Sequence, residues 1–428
     1  MLKTIVNAFA DKETRRKLFI TFGLLLIFRL GAYIPVPGLD VIKLQGLATT
    51  LQQNTLFQVM ATISGGTLSQ ATLFSLGILP FINSFIIMQL LTLVIPGLER
   101  LSREGDEGRR KLTQITRYIA IVLAIVQSIG VVISWKDALL KPFGHEAVTG
   151  LFLIIILTAG STIVMWLGER ITEHGIGNGS SLIIFVGILS TAATEMIKSF
   201  QLIGKEPTKA WFLAILLIIV LLLFFFITFV DLSERRIKVT YAKQVKGNKM
   251  YGGQSTYIPI KVNASGVMPI IFASSFLMFP MLIASFFPQS KFYAWWNKYL
   301  GVGEWPYMVF LSLLILFFSF FYAQIQFNPM DVAKNLQQYG GMIIGVRPGK
   351  PTSDYLAKIN NRITLFGALF LAIISLIVSI SLRYLGKELN MNNAFSATGL
   401  LIVVSVAMEF NTQLETQLMM KNYKGFLK

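Results

Sequence analysis

The chain has 428 residues, 54% hydrophobic and only 14% charged, and its 38 Lys+Arg against 21 Asp+Glu leave a net charge of +17. A soluble chain carries roughly 25% charged residues, so the composition excludes a soluble globular protein. With no cysteine and two histidines, His145 and His174, it also excludes disulfides, thiolate metal sites, iron–sulfur clusters and cysteine nucleophiles, and leaves no His-rich metal set.

A bilayer core about 30 Å thick needs roughly 20 apolar helical residues, and charge inside it is costly. Stretches free of Asp, Glu, Lys and Arg therefore mark candidate spans. At the N-terminus, Leu2, Ile5, Val6 and Phe9 share one helical face and suggest an interfacial helix. The first apolar run, Leu18–Leu39, follows a charged segment with no signal-peptide cleavage pattern and is interrupted by Arg29. Residues 44–98 are too long for one span. Leu73–Ile95 is strongly apolar, whereas Leu51–Leu68 carries Gln52, Gln53, Asn54, Gln58, Thr62, Ser64 and Thr67 and is broken by Gly65-Gly66. It reads as a short re-entrant or lumen-facing helix, which survives at membrane depth only when shielded by protein or water. Further spans are expected at 118–135, 147–168, 171–194, 210–230, 262–290, 305–330, 363–382 and 389–408. Between the fourth and fifth, GIGNGSS superficially resembles a dinucleotide loop but lacks any surrounding βαβ unit, so it reads as a tight turn.

Two long loops punctuate the second half. In 231–263, the alternation of Ile237, Val239 and Tyr241 before Gly252-Gly253 predicts a hairpin. In 328–362, Asp331–Tyr339 looks helical, Gly340-Gly341 ends it, and Arg347-Pro348-Gly349 forms a tip. Long basic loops with this turn chemistry suit a large anionic partner. With ten spans and an inside N-terminus, 26 of the 38 basic residues lie on the cytoplasmic side, which satisfies the positive-inside rule. Counting 44–98 as two full spans would reverse that preference. Both termini are therefore expected in the cytoplasm. The expected architecture is an all-α polytopic membrane protein of two inverted five-helix halves, residues 1–200 and 201–428, with a pathway at their interface.

Away from the span ends, Arg29 is the only ionisable residue inside a span. Ion-coupled transporters commonly need intramembrane carboxylates or paired charges. Their absence leaves a secondary transporter of a small solute as the weaker reading and favours a pathway gated by shape. An intramembrane enzyme lacks any nucleophile–base or metal constellation. Asn83, Gln89, Gln127, Asn263, Gln324 and Gln326 are amides within or beside spans. They are either ordinary interhelical hydrogen-bonding groups or the weak contacts of an interface that parts.

The segments LGILPFINSFIIMQLL (76–91), EGDEGRRKLTQITRY (104–118), GIGNGSSLIIF (175–185), KVNASGVMPIIFASS (261–275), FNPMDVAKNL (327–336), GVRPGKPT (345–352) and TGLLIVV (398–404) resemble the SecY family, in order and from about residue 12 to 425. The resemblance implies a protein-conducting channel with no cofactor and no metal. It implies a plug at about Thr55–Leu68, including Phe57, Met60, Ile63, Gly65 and Gly66. Ile82, Ile86, Ser180, Ile184, Ile271 and Ile402 fall at the constriction, with Ser180 where the family often has an aliphatic residue. Asn83, Gln127 and Asn263 fall at a sideways gate formed by the second, third, seventh and eighth spans. Arg235, Arg236, Lys243, Arg347 and Lys350 fall at positions that dock the ribosome or the SecA motor. The implied setting is the bacterial cytoplasmic (inner) membrane, with SecE and SecG subunits, signal peptides, nascent polypeptides and membrane lipids as partners. Ala394–Thr398 departs from the Gly-Gly pattern usual before the last span.

Overall fold

The computed structural model describes residues 8–40, 43, 60–61, 64–68, 70–140, 145–241, 243–246, 249–252, 255–263, 266, 268–287, 289–301, 304–386 and 397–425. The first half holds α1 (Lys12–Gly31), α2 (Leu79–Val94), α3 (Pro96–Arg103), α4 (Asp106–Ser134), α5 (Glu146–His174) and α6 (Gly179–Lys205). The second holds α7 (Ala210–Leu232), α8 (Met268–Ser285), α9 (Lys291–Tyr299), α10 (Trp305–Gln326), α11 (Pro329–Gln338), α12 (Lys350–Ser381) and α13 (Ala397–Gly425). Strands β1 (Glu234–Tyr241), β2 (Lys243–Lys246), β3 (Lys249–Gly252), β4 (Ser255–Lys261) and β5 (Gly341–Ile343) lie in the two long loops.

Six helical segments among the described residues are long and apolar enough to cross a membrane, or seven if α2 and α3, bent by 102°, form one broken span. The bend falls at Pro96, whose ring cannot continue the preceding helix. Helices overrun the charge-free windows: α4 begins at Asp106 and α12 at Lys350. Charge marks the edge of lipid, whereas a helix continues into water until a cap or break stops it. The second apolar stretch differs from expectation in the opposite direction. Residues 73–78 form turns, and the helix begins only at Leu79, with Gly77 at φ +56° and Pro80 in the first turn. Similarly, α1 ends at Gly31 rather than continuing to Leu39; Pro35 bridges to Thr72, and Leu73 N–H donates to the Ile34 carbonyl at 2.9 Å.

One apolar cluster joins both halves, drawing on α1, α2, α4, α5, α6, α7, α8, α10, α12 and α13. On the outer side, α7 exposes Trp211, Leu221, Phe225 and Phe229, as a helix facing hydrocarbon would. The loop hairpin forms as the alternation predicts: β1 pairs antiparallel with β4, Ile237 opposite Ile258. β2 pairs with β3.

Candidate functional site

The five ring isoleucines come from four helices. Ile82 and Ile86 lie one turn apart on α2, Ile184 on α6, Ile271 on α8 and Ile402 on α13. All are buried and belong to the same cluster, with Met60 and Leu68 of the segment before α2. Ile82, Ile184 and Ile271 also line a cavity of about 300 Å³ with Ser180, Phe85 and Phe272. A wall of branched aliphatics offers dispersion contacts without directional demand.

Ser180 sits on that cavity, but its hydroxyl donates to Asn178 Oδ1 at 2.7 Å. Asn178 caps α6 by also accepting from the Ser180 and Ser181 amides. Such a side chain satisfies the orphan N–H groups of a helix start. GIGNGSS is thus a capped turn between α5 and α6, as its glycines and Asn178 suggest. Arg117 pairs with Glu169 at 2.7 Å, and both line the same cavity.

Of the plug positions, Phe57 and Ile63 lie outside the described residues, while Met60 is fully buried. Gly65 and Gly66 adopt φ of +77° and +80° in a turn. That turn is tied by side chains: Thr67 Oγ1 donates to Ser64 O and Phe74 O, both at 3.1 Å, and Ser75 Oγ donates to Thr72 O at 2.6 Å. The polarity that marked 51–68 as unlike a span thus serves, at Thr67, to satisfy backbone acceptors.

The gate amides are not hydrogen-bonded to one another. Asn83 and Gln127 are each 1% exposed, and Asn83 Oδ1 and both amide atoms of Gln127 have no hydrogen-bond partner among the described residues. Their helices, α2 and α4, pack together, and α8 touches α4. Asn263 turns away from them: its Nδ2 donates to Asp231 Oδ1 at 2.7 Å, and Ser405 Oγ donates to Asp231 Oδ2 at 3.1 Å. Asp231, at the end of α7, is a site residue that sequence reasoning missed. Its position at a span edge reads as an ordinary surface charge, and only the fold brings α13 beside it.

Of the basic residues expected to dock a partner, Arg235 and Arg236 lie on β1, Arg347 and Lys350 follow β5, and Lys243 lies in the separate two-stranded sheet of β2 and β3. β1 pairs with β5 as well as β4, Val239 opposite Ile343 and Tyr241 opposite Gly341, so the two loops share a three-stranded sheet. Ile237, Val239, Ile260, Leu336, Ile343 and Leu356 form its core. Arg235, Arg236, Arg347 and Lys350 are exposed. Arg236 pairs with Glu234 at 2.7 Å, and Lys243 lies on β2.

The SecY family profile matches residues 72–411. A protein translocase subunit SecY of Streptomyces galbus is 42% identical across the whole of both chains. The chain belongs to the SecY family. Among solved structures, one of a protein-conducting channel is similar at a TM-score of 0.69 and 20% identity, covering 94% of this chain and 92% of that one. Sec61 in the canine ribosome–channel complex is similar at 0.64 and 18%, with the same coverages. SecY is a family of channel subunits rather than enzymes, and membership removes the small-solute transporter reading. Among the described residues no group of acidic or histidine side chains could hold a metal.

Proposed function

We propose that this SecY-family chain passes unfolded secretory polypeptides across a bacterial cytoplasmic membrane and releases transmembrane segments sideways into lipid. The observation that carries the reading is the convergence of isoleucines from α2, α6, α8 and α13 into one apolar cluster beside a cavity. Such a constriction limits ion passage at rest by dewetting, and Thr55–Leu68 is the plug, of which Met60 and Leu68 belong to the same apolar cluster. In this reading all ten helices that overlie the expected windows are spans, five in each half, with both termini cytoplasmic. α1 and α8, though shorter or charge-interrupted, cross with their neighbours' support. The α2–α4 and α8 seam is the sideways exit. Its unpaired buried amides each forgo about 1–3 kcal/mol, so the seam is held by weak contacts.

The basic platform of Arg235, Arg236, Lys243, Arg347 and Lys350 docks the ribosome or SecA. Its support is the exposure of Arg235 and Arg236 on β1 and of Arg347 and Lys350 just beyond β5 of the same sheet, together with the ribosome-bound state of the Sec61 relative. SecE and SecG are the expected companion subunits. The test is reconstitution of the chain with those subunits and SecA into vesicles. A signal-bearing polypeptide should become protease-protected when ATP is supplied. Absence of protection, with active SecA present, would remove the reading.

A further inference from the structure

Arg29 interrupts the first apolar run and, because α1 ends at Gly31, sits in the last turn of that helix; nothing in the ring, seam or platform uses it. Its guanidinium points inward from α1. Nη2 donates to Ser190 Oγ on α6 and lies 3.5 Å from the Tyr33 hydroxyl, whose ring is 5.5 Å from the guanidinium carbon. Nη1 is buried and has no hydrogen-bond partner among the described residues. No carboxylate is paired with Arg29 among those residues. Arg29 is half-buried, and the free donor at its buried Nη1 is costly.

What Nη1 faces is the turn before α2. A Cβ placed on Gly65 would sit 3.2 Å from Nη1, and 2.8 Å and 2.9 Å from Cα and O of Gly187 on α6. Gly65 is thus seated backbone to backbone on Gly187, with the guanidinium closing the remaining side. Its φ of +77° already restricts the position to glycine. Below this contact Met60, Ser64 and Leu68 are all at most 2% exposed.

We propose that Arg29 is a positioning residue that latches the 64–68 turn in its resting seat, with Ser190 orienting the guanidinium and the Gly65–Gly187 contact setting the depth. The inference rests on reading that turn as part of the plug. Arg29 makes no hydrogen bond to the turn among the described residues, so the latch acts by packing: removing the guanidinium opens the side of Gly65 that Gly187 leaves uncovered, with an expected freeing of about tenfold.

The experiment uses the full chain with its companion subunits in vesicles. Two readouts apply: anion leak of the idle channel, and maleimide labelling of Ser64→Cys, the sole thiol in a cysteine-free chain. Arg29→Met and Gly65→Ala should each raise leak and labelling about tenfold, and Ser190→Ala should raise them less. Arg29→Lys, which keeps the charge, should stay within about threefold of the parent. Deleting 60–68 should raise leak, and adding Arg29→Met to the deletion should raise it no further. Parental leak and labelling in Arg29→Met, or a full extra increment on top of the deletion, would overturn the latch. If the deletion alone left leak unchanged, the plug reading itself would fail.

Discussion

Replacing Asp231 by Ala removes the acceptor shared by Asn263 and Ser405. Asn263, in the turn after β4, and Ser405, on α13, are 8% and 5% exposed, so neither donor can turn to water without a backbone shift. A hydrogen bond to a charged acceptor contributes about 1.5–3 kcal/mol, and a stranded buried donor costs about 1–3 kcal/mol. The two bonds share one carboxylate and are not additive, which sets the expected loss at roughly 3–4 kcal/mol. Asp231→Asn keeps one acceptor oxygen and should lose about half of that. The assay is denaturant unfolding of the purified full chain in bicelles, run as a double-mutant cycle with Asn263→Ala. The cycle should return a coupling of about 1.5–3 kcal/mol between positions 231 and 263. A loss below about 0.5 kcal/mol for Asp231→Ala, the scale of an ordinary surface change, would show that α7, α8 and α13 are not tied at this point.

Other consequences follow from the ring and the platform. Ile402→Ser places a hydroxyl in a position that is 1% exposed. It should raise idle ion leak and let substrates with defective signal peptides through, as measured in reconstituted vesicles; unchanged leak and stringency would remove Ile402 from the constriction. Arg347→Glu reverses an exposed cation at the tip before α12 and should cut SecA-driven translocation severalfold, more so at low salt. Gly341→Val would bring a Cβ within 3.0 Å of the Tyr241 ring and 3.3 Å of Val239. It should unpair β5 from β1, seen as faster hydrogen exchange at the Val239 and Tyr241 amides, while α10 and α12 keep their protection.

The apolar helices were legible because lipid tolerates little charge, so stretches free of Lys, Arg, Asp and Glu overlie them. Helix ends were less legible, since Asp106 and Lys350 belong to the same helices as the apolar runs they precede. The hairpin around Ile237 and Val239 was readable from its period of two. Its third strand was not: Gly341–Ile343 has three residues and no period of its own, and it pairs with a strand about 100 positions earlier. The isoleucines expected at the constriction were picked out through family resemblance. Nothing in their local sequence distinguishes them from dozens of other buried aliphatics. The same is true of Asp231, whose partner Ser405 is 174 residues away. Arg29 was conspicuous from the start, because a lone cation in an apolar run has no solvated face to explain it; only the fold shows which turn it meets.

The central claim is that a polypeptide passes through the isoleucine ring. The most direct measurement places a photocrosslinking side chain in turn at Ile82, Ile184 and Ile402 and stalls a translocating chain in the channel. The account predicts adducts to the stalled chain from all three positions, and none from the outward-facing Phe225 on α7. Adducts from Phe225 but not from the ring would contradict it.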